Sequence, residues 1–229
     1  MRKSLLTLLT CLACTTVLFS QKTEFIRFKG DGFHDFLLRI AYLYPEFKPG
    51  KMYFKSGGSA GGMMNLNFLF NEMHFTDDKG DTLAIADVNS IARIVIGPDS
   101  FYYQDAYLEK IAGYGDSAVF IKQSLKMIEE RKAGAGGLMT TTNHIGTTDR
   151  YTEFFEHTIG NNSEVVFAKQ TFFYFMYSKG KFAEATKRNF NKYFPAGAGE
   201  MEKFITDNKI NLNVAEDLVK LLSFLVAHK

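Results

Sequence analysis

The residues with most scope for chemistry are the five histidines, His34, His74, His144, His157 and His228. No two of them stand at the spacing of a helical or hairpin zinc site. His74 follows Glu72 by two positions, which on a strand places both on one face. Such a pair could offer two metal ligands, but on a polar strand face it reads as a surface contact. Glu153, Glu156 and His157 bring carboxylates and an imidazole close in sequence, with no partner to be named elsewhere. The run Asp77-Asp78-Lys79-Gly80-Asp81 lacks the alternating acids and distant bidentate glutamate of a calcium loop, so Asx-turn chemistry is expected there. The glycines at Gly57 to Gly62 and Gly134 to Gly137 are not followed by the Lys-Ser/Thr end of a phosphate loop. No nucleophile elbow precedes a helix. Catalytic, metal and cofactor motifs are therefore missing from the sequence. The weak ligand-binding candidates are four tyrosines, Tyr102, Tyr103, Tyr107 and Tyr174, whose rings could face a small molecule or a glycan. Asn161-Asn162-Ser163 holds a glycosylation spacing that has meaning only in a eukaryotic secretory route.

These residues must be carried through an export route. Arg2 and Lys3 precede an apolar run from Leu5 to Phe19, and Ser20-Gln21 opens a polar stretch. That is the layout of a cleaved signal peptide, too short for a span of about 20 apolar residues, with cleavage expected before Gln21. Both cysteines, Cys11 and Cys14, fall inside it, so the exported chain is expected to lack disulfides. Acylation of Cys14 is the rival reading, opposed by Val17-Leu18-Phe19, which continues the apolar run past it. Removing Arg2 and Lys3 from the 27 basic residues brings them level with the 25 acidic ones. A neutral chain without a basic block has no electrostatic reason to bind nucleic acid. No later segment reaches transmembrane length, so no membrane span is expected after signal removal.

From Lys51 the apolar pattern has period two. Met52-Tyr53-Phe54 predicts a strand, and Ser56 to Gly62 a flexible connection. Met64, Leu66, Phe68 and Phe70 share one face, with Asn65, Asn67 and Asn71 on the opposite, polar face. The phase then slips to Met73 and Phe75, which predicts a bulge or a sharp bend. The Asp77 to Asp81 turn and Thr82 to Ala86 complete a β-hairpin. Ala92 to Ile96, Ser100 to Tyr103 and Tyr107 to Ala112 are further strands, and Val119 to Met127, which could also be helical, is favoured as a strand by its alternation and the turn before it. Phe172 to Tyr177, apolar on both faces, predicts a central strand. Residues 35–43 form a short element of undecided type, ended by Pro45. Residues 133–150 hold few apolar side chains and predict a mobile loop, extended to 163 in the domain division.

After Lys181 the period becomes helical. Phe190, Tyr193 and Phe194, then Met201, Phe204 and Ile205, then Leu218, Leu221, Leu222 and Leu225 each lie at helical spacing. Asn213 and Glu216 predict a capping box for the last of these helices. The expected organisation is a signal peptide at 1–20, a β-rich domain at 21–182 and a C-terminal helical subdomain at 183–229. The fold class is β-rich α+β, an antiparallel sandwich or bent sheet followed by a small helical unit.

Three stretches carry a resemblance. They are Tyr42 to Phe47 with Gly50 to Lys55, Asn71 to Phe75 with Gly80 to Ala84, and Asn191 to Pro195 with Ile205 to Ile210 and Glu216 to Leu221. Together they resemble a group of small exported proteins of Bacteroidetes-type Gram-negative bacteria that has no assigned function. The resemblance covers most of the chain after the leader and is poorest at 133–163. It implies an envelope location, periplasmic, extracellular or outer-membrane associated, and no catalytic residue. The leading functional expectation is a non-catalytic envelope protein that binds another protein or a surface component. A small-molecule or glycan binder using the four tyrosines is the alternative. A hydrolase assembled from scattered histidines and acids, with two of His34, His74, His144 and His157 in one cleft, stands third.

Overall fold

A computed structural model describes residues 21–133, 139–143 and 163–228. The chain is mostly antiparallel sheet with a small helical unit at its C-terminus, as the alternating and then helical periods predict. Its strands are β1 (Gln21–Lys29), β2 (Lys48–Phe54), β3 (Ser59–Asn67), β4 (Glu72–Thr76), β5 (Thr82–Ala84) and β6 (Ile91–Ile96). They continue as β7 (Asp99–Tyr103), β8 (Tyr107–Tyr114), β9 (Ser117–Ala133), β10 (Met139–Asn143), β11 (Ser163–Ser178) and β12 (Lys181–Glu184). The helices are α1 (Phe33–Ala41), α2 (Lys187–Tyr193), α3 (Ala198–Asp207) and α4 (Ala215–Ala227).

One sheet holds every described strand in the order β1-β11-β9-β8-β7-β6-β2-β3-β4-β5, with β10 on β9 and β12 on β11. The sheet is not closed, but it curls strongly. The Leu125 N–H on β9 donates to the Phe68 carbonyl just past β3 at 2.9 Å. Those two strands are five steps apart in the sheet order, roughly 24 Å if the sheet were flat. Only a sheet bent round on itself brings them together. Helix α1 fills the bend: Phe33, Leu37 and Ala41, at i, i+4 and i+8, are buried against Met64, Leu66, Ile94, Phe101, Leu125 and Phe167. The segment of undecided type is thus a helix, ended at Ala41 before Tyr42 turns extended. Gly32 enters it at φ 79°, a conformation that favours glycine.

Strand β11 runs from this core into a second one. Its Phe173 and Phe175 join Val119 of β9 and the buried faces of α2, α3 and α4, with Phe190, Met201, Leu218, Leu221, Leu222 and Leu225. Phe175 stacks on Phe190 at 4.3 Å between ring centroids. A third, smaller cluster of Leu108, Ala118 and Phe120 lies beneath Tyr102, Tyr174, Met176 and Phe182.

Several expectations are corrected. The flexible connection at Ser56 to Gly62 is short, because β3 begins at Ser59 and pairs Gly61 and Gly62 with Lys51 and Gly50. Close packing explains the glycine there: a Cβ on Gly50 would meet Met64 Sδ at 2.9 Å. The slip after Phe70 is neither bulge nor bend within one strand. It is a full reversal between β3 and β4, in which Asn67 Oδ1 accepts the N–H groups of Leu69 and Phe70 and Asn71 takes φ 54°. Part of the expected loop, Met139 to Asn143, is strand β10 paired with β9. Residues 134–138 and 144–162 lie outside the described residues. Asn213 does not cap α4. Val214 is the N-cap residue, and the Asp217 carboxylate in the first turn instead accepts the Asn211 N–H at 3.0 Å.

Candidate functional site

Proline at position 45 holds Tyr44 out of the helical region, so the chain leaves α1 as an extended strap toward β2. Backbone bonds fasten the strap along β3: Phe68 N–H to Ala41 C=O at 2.7 Å and Leu43 N–H to Leu66 C=O at 3.0 Å. Asn65 completes the fastening from its side chain. Its Oδ1 accepts the Tyr44 N–H at 3.1 Å and its Nδ2 donates to the Tyr44 carbonyl at 2.8 Å. Asn65 and Asn67, expected on an exposed polar face, are buried. Both faces of the second half of β3, Met64 to Asn67, are covered, because the strap and its neighbours cover the side that alternation alone would leave to water.

Tyr42 and Tyr44, alternate residues of the strap, each reach an acidic or imidazole group. The Tyr42 hydroxyl lies 2.8 Å from His74 Nδ1, and His74 Nε2 lies 3.1 Å from Glu72 Oε2. A carboxylate only accepts, so the ring proton belongs on Nε2, and Nδ1 then accepts from Tyr42 O–H. His74 is buried at 3% exposure while the Glu72 side chain stays 47% exposed. The pair expected at the surface is therefore a buried imidazole under a half-exposed carboxylate. Tyrosine, histidine and carboxylate in line is a proton-relay arrangement. Here it ties the strap to β4.

Tyr44 makes the second group. Its hydroxyl donates to Asp99 Oδ2 at 2.5 Å, and Lys48 Nζ sits 3.9 Å from the centre of its ring. Burial, then the Asp99 bond, push the Tyr44 hydroxyl far above its ordinary value, so it stays a donor. Burial and the neighbouring Asp99 charge likewise raise the Glu109 carboxyl. Tyr107, on the same face of β8 as Glu109, is raised by burial, by Tyr103 and by the charge of Glu72. Its hydroxyl is buried without a hydrogen-bond partner among the described residues.

The four sequence-predicted tyrosines divide between the two faces of the sheet. Tyr103 and Tyr107, ring centroids 5.2 Å apart, belong to the core around α1. Tyr102 and Tyr174 pack around Phe120 on the opposite face. His34 is exposed in the first turn of α1, far in the sequence pattern from buried His74 on β4. His144, His157, Glu153 and Glu156 lie outside the described residues. Among the described residues no group of three or more His, Cys, Asp or Glu could hold a metal ion. The Asp77 loop is an Asx turn, its Oδ1 accepting the N–H groups of Lys79 and Asp81 at 2.9 Å each. No described helix is long and apolar enough to cross a membrane. Tyr44, Asn65, Asp99 and Glu109 carry no signal of their own in the sequence; only the alternation of Asn65 and Asn67 opposite His74 and Glu72 hints at a shared polar face.

The outer surface offers a different kind of site at the sheet's margins. Strand β1, nine residues long, pairs only with β11, and its other edge is unpaired among the described residues. Ile26 and Phe28 turn toward the core, while Phe25 at the centre of the strand is 61% exposed, the most exposed large apolar side chain among the described residues. At the opposite margin β5 has three residues, all exposed. Compared with protein-family models, with characterised proteins and with solved structures, the chain matches none.

Proposed function

We propose that this chain is an exported, non-catalytic envelope protein that binds another protein or an envelope component, and that β1 is its docking edge. The observation that carries the reading is the long edge of β1, unpaired among the described residues, with Phe25 exposed at its centre. An edge of this kind presents a row of free N–H and C=O groups to an incoming extended segment, with the side chains setting selectivity. The interior supports the same reading. The bend of the sheet is filled by α1, and the relay-like groups Tyr42, His74 and Glu72 bond to one another.

The test is affinity capture from cross-linked envelopes of the native host, comparing the protein with its Phe25→Lys variant. A partner retained by the first and lost by the second, with both equally folded, supports docking at β1. Equal retention by both overturns it. The alternative, a small-molecule or glycan binder, draws support from the buried Tyr107 hydroxyl beside Tyr103, which has no hydrogen-bond partner among the described residues. It expects ligand protection of Tyr107→Phe to be weaker than that of the unaltered protein in a thermal-shift screen of sugars.

A further inference from the structure

We propose that two copies of this chain join edge to edge through β1, antiparallel and centred on Phe25, to form one continuous sheet. The inference rests on the reading of β1 as a docking edge and names a second copy as an occupant. A two-fold axis perpendicular to a sheet requires one residue of the edge strand to face its own twin across the axis. Within β1 the residues available near its middle are Glu24, Phe25, Ile26 and Arg27.

Charge and length choose among them. Centring on Glu24 or Arg27 sets like charges directly opposite, which is destabilising. Centring on Ile26 pushes Lys22 against Gly30, beyond the strand, and leaves Gln21 unpaired. Gly30 at φ 107° ends the strand, so centring on Phe25 pairs all nine described residues of each copy, Gln21–Lys29, whereas centring on Ile26 pairs fewer. The opposed pairs are then Gln21 with Lys29, Lys22 with Phe28, Thr23 with Arg27 and Glu24 with Ile26. No like charges face each other. The two Phe25 rings, each 61% exposed in one copy, cover one another. Arg27, on the same face, lies diagonal to Phe25 of the second copy, within reach of a cation–π contact.

The arrangement also closes. A two-fold pair buries the same patch on each copy, so pairing both β1 edges uses up that interface. The other edges among the described residues belong to the short strands β5, β10 and β12, of three, five and four residues, and short edges template another chain poorly. Assembly through β1 therefore stops at two. The contact is small, so it belongs to the weak, reversible class of interfaces. A partner docking on β1 would compete with it, and dimerisation would shield the edge until that partner arrives.

Single-cysteine variants test the register. The protein is expressed with residues 1–20 in place, purified as the cell processes it and oxidised mildly, and linked peptides are mapped by mass spectrometry. Phe25→Cys faces its twin and links rapidly to itself. In Thr23→Cys each cysteine lies about four residue rises, roughly 14 Å, from its twin, and the same holds for Arg27→Cys. Neither links alone, but a mixture of the two forms the 23–27 crosslink. Equal, slow linking at all three positions overturns the pairing, as does a single monomer boundary for the unaltered protein in sedimentation velocity at its highest soluble concentration. A monomer that still captures an envelope partner in a Phe25-dependent way ends self-pairing and leaves the docking reading intact. A Phe25-linked dimer whose envelope capture ignores Phe25→Lys supports self-pairing and ends the reading of an external partner at β1.

Discussion

Asn65→Ala should be among the most damaging single changes to a polar residue in this chain. Asn65 is 1% exposed and makes two hydrogen bonds, both to the main chain of Tyr44. Truncation leaves the Tyr44 N–H and C=O without partners in a site closed to water. Each orphaned group costs about 1–3 kcal/mol, so the expected loss is about 2–6 kcal/mol. Against a total stability of about 5–15 kcal/mol, that leaves a marginal protein. The assay is urea denaturation, with the loss read from the midpoint at unchanged slope. Asn65→Asp supplies the control. It keeps the acceptor for Tyr44 N–H but sets a buried carboxylate against the Tyr44 carbonyl, so its folded pKa lies above the unfolded value. The sign follows: the folded state holds the proton more tightly, so the variant is most stable in acid and weakens as pH rises through that folded pKa. A loss below about 0.5 kcal/mol for Asn65→Ala would refute the reasoning, since so small an effect means that water reaches the strap.

Tyr42→Phe removes the hydroxyl that meets buried His74 Nδ1 and should cost about 1 kcal/mol in the same denaturation assay. Glu109→Gln removes a half-buried carboxyl whose pKa is raised by burial and by Asp99. Because the folded state holds that proton more tightly, the unaltered protein loses stability as pH rises from the ordinary carboxylate range through the raised folded pKa of Glu109. The variant should be the more stable at neutral pH, with a flatter stability–pH curve across that window. Gly50→Ala forces a methyl against Met64 Sδ at 2.9 Å and Ile96 Cγ1 at 3.1 Å, so a loss of about 1–3 kcal/mol is expected from chemical denaturation. Phe190→Ala empties a fully buried ring site stacked on Phe175 and should cost about 3–5 kcal/mol, lowering the melting temperature measured by calorimetry.

Periodicity made much of this architecture legible. Leu218, Leu221, Leu222 and Leu225 form a stripe that is fully buried, because helical spacing puts those positions on one face wherever the helix docks. The turn at Asp77 to Asp81 was readable for a similar reason, since the Asp77 side chain bonds residues two and four further on. The reversal at Phe68 to Asn71 was not readable as such. A phase slip of one residue looks the same whether a strand bulges or the chain turns back. The candidate site was legible only in its pieces. Glu72 and His74 were visible as a pair, but the burial of His74 depends on Tyr42, thirty-two positions from it in sequence. Nothing near Asp99 in sequence reveals that Tyr44 lies over it, and Glu109 carries no local sign that it shares that site.

By itself the sequence determined which residues alternate, where helices replace strands and which turns local side chains can close, because each is fixed by contacts within a few positions. The tertiary structure alone decided which faces are wet. A flat sheet would leave Asn65, Asn67 and His74 to solvent; the curl that brings Leu125 to Phe68 and the strap that crosses β3 bury them instead. It also decided that β1, the first strand in the chain, ends one margin of the sheet with an edge unpaired among the described residues. Strand order is set by which surfaces pack together across the whole chain, and no local pattern encodes it.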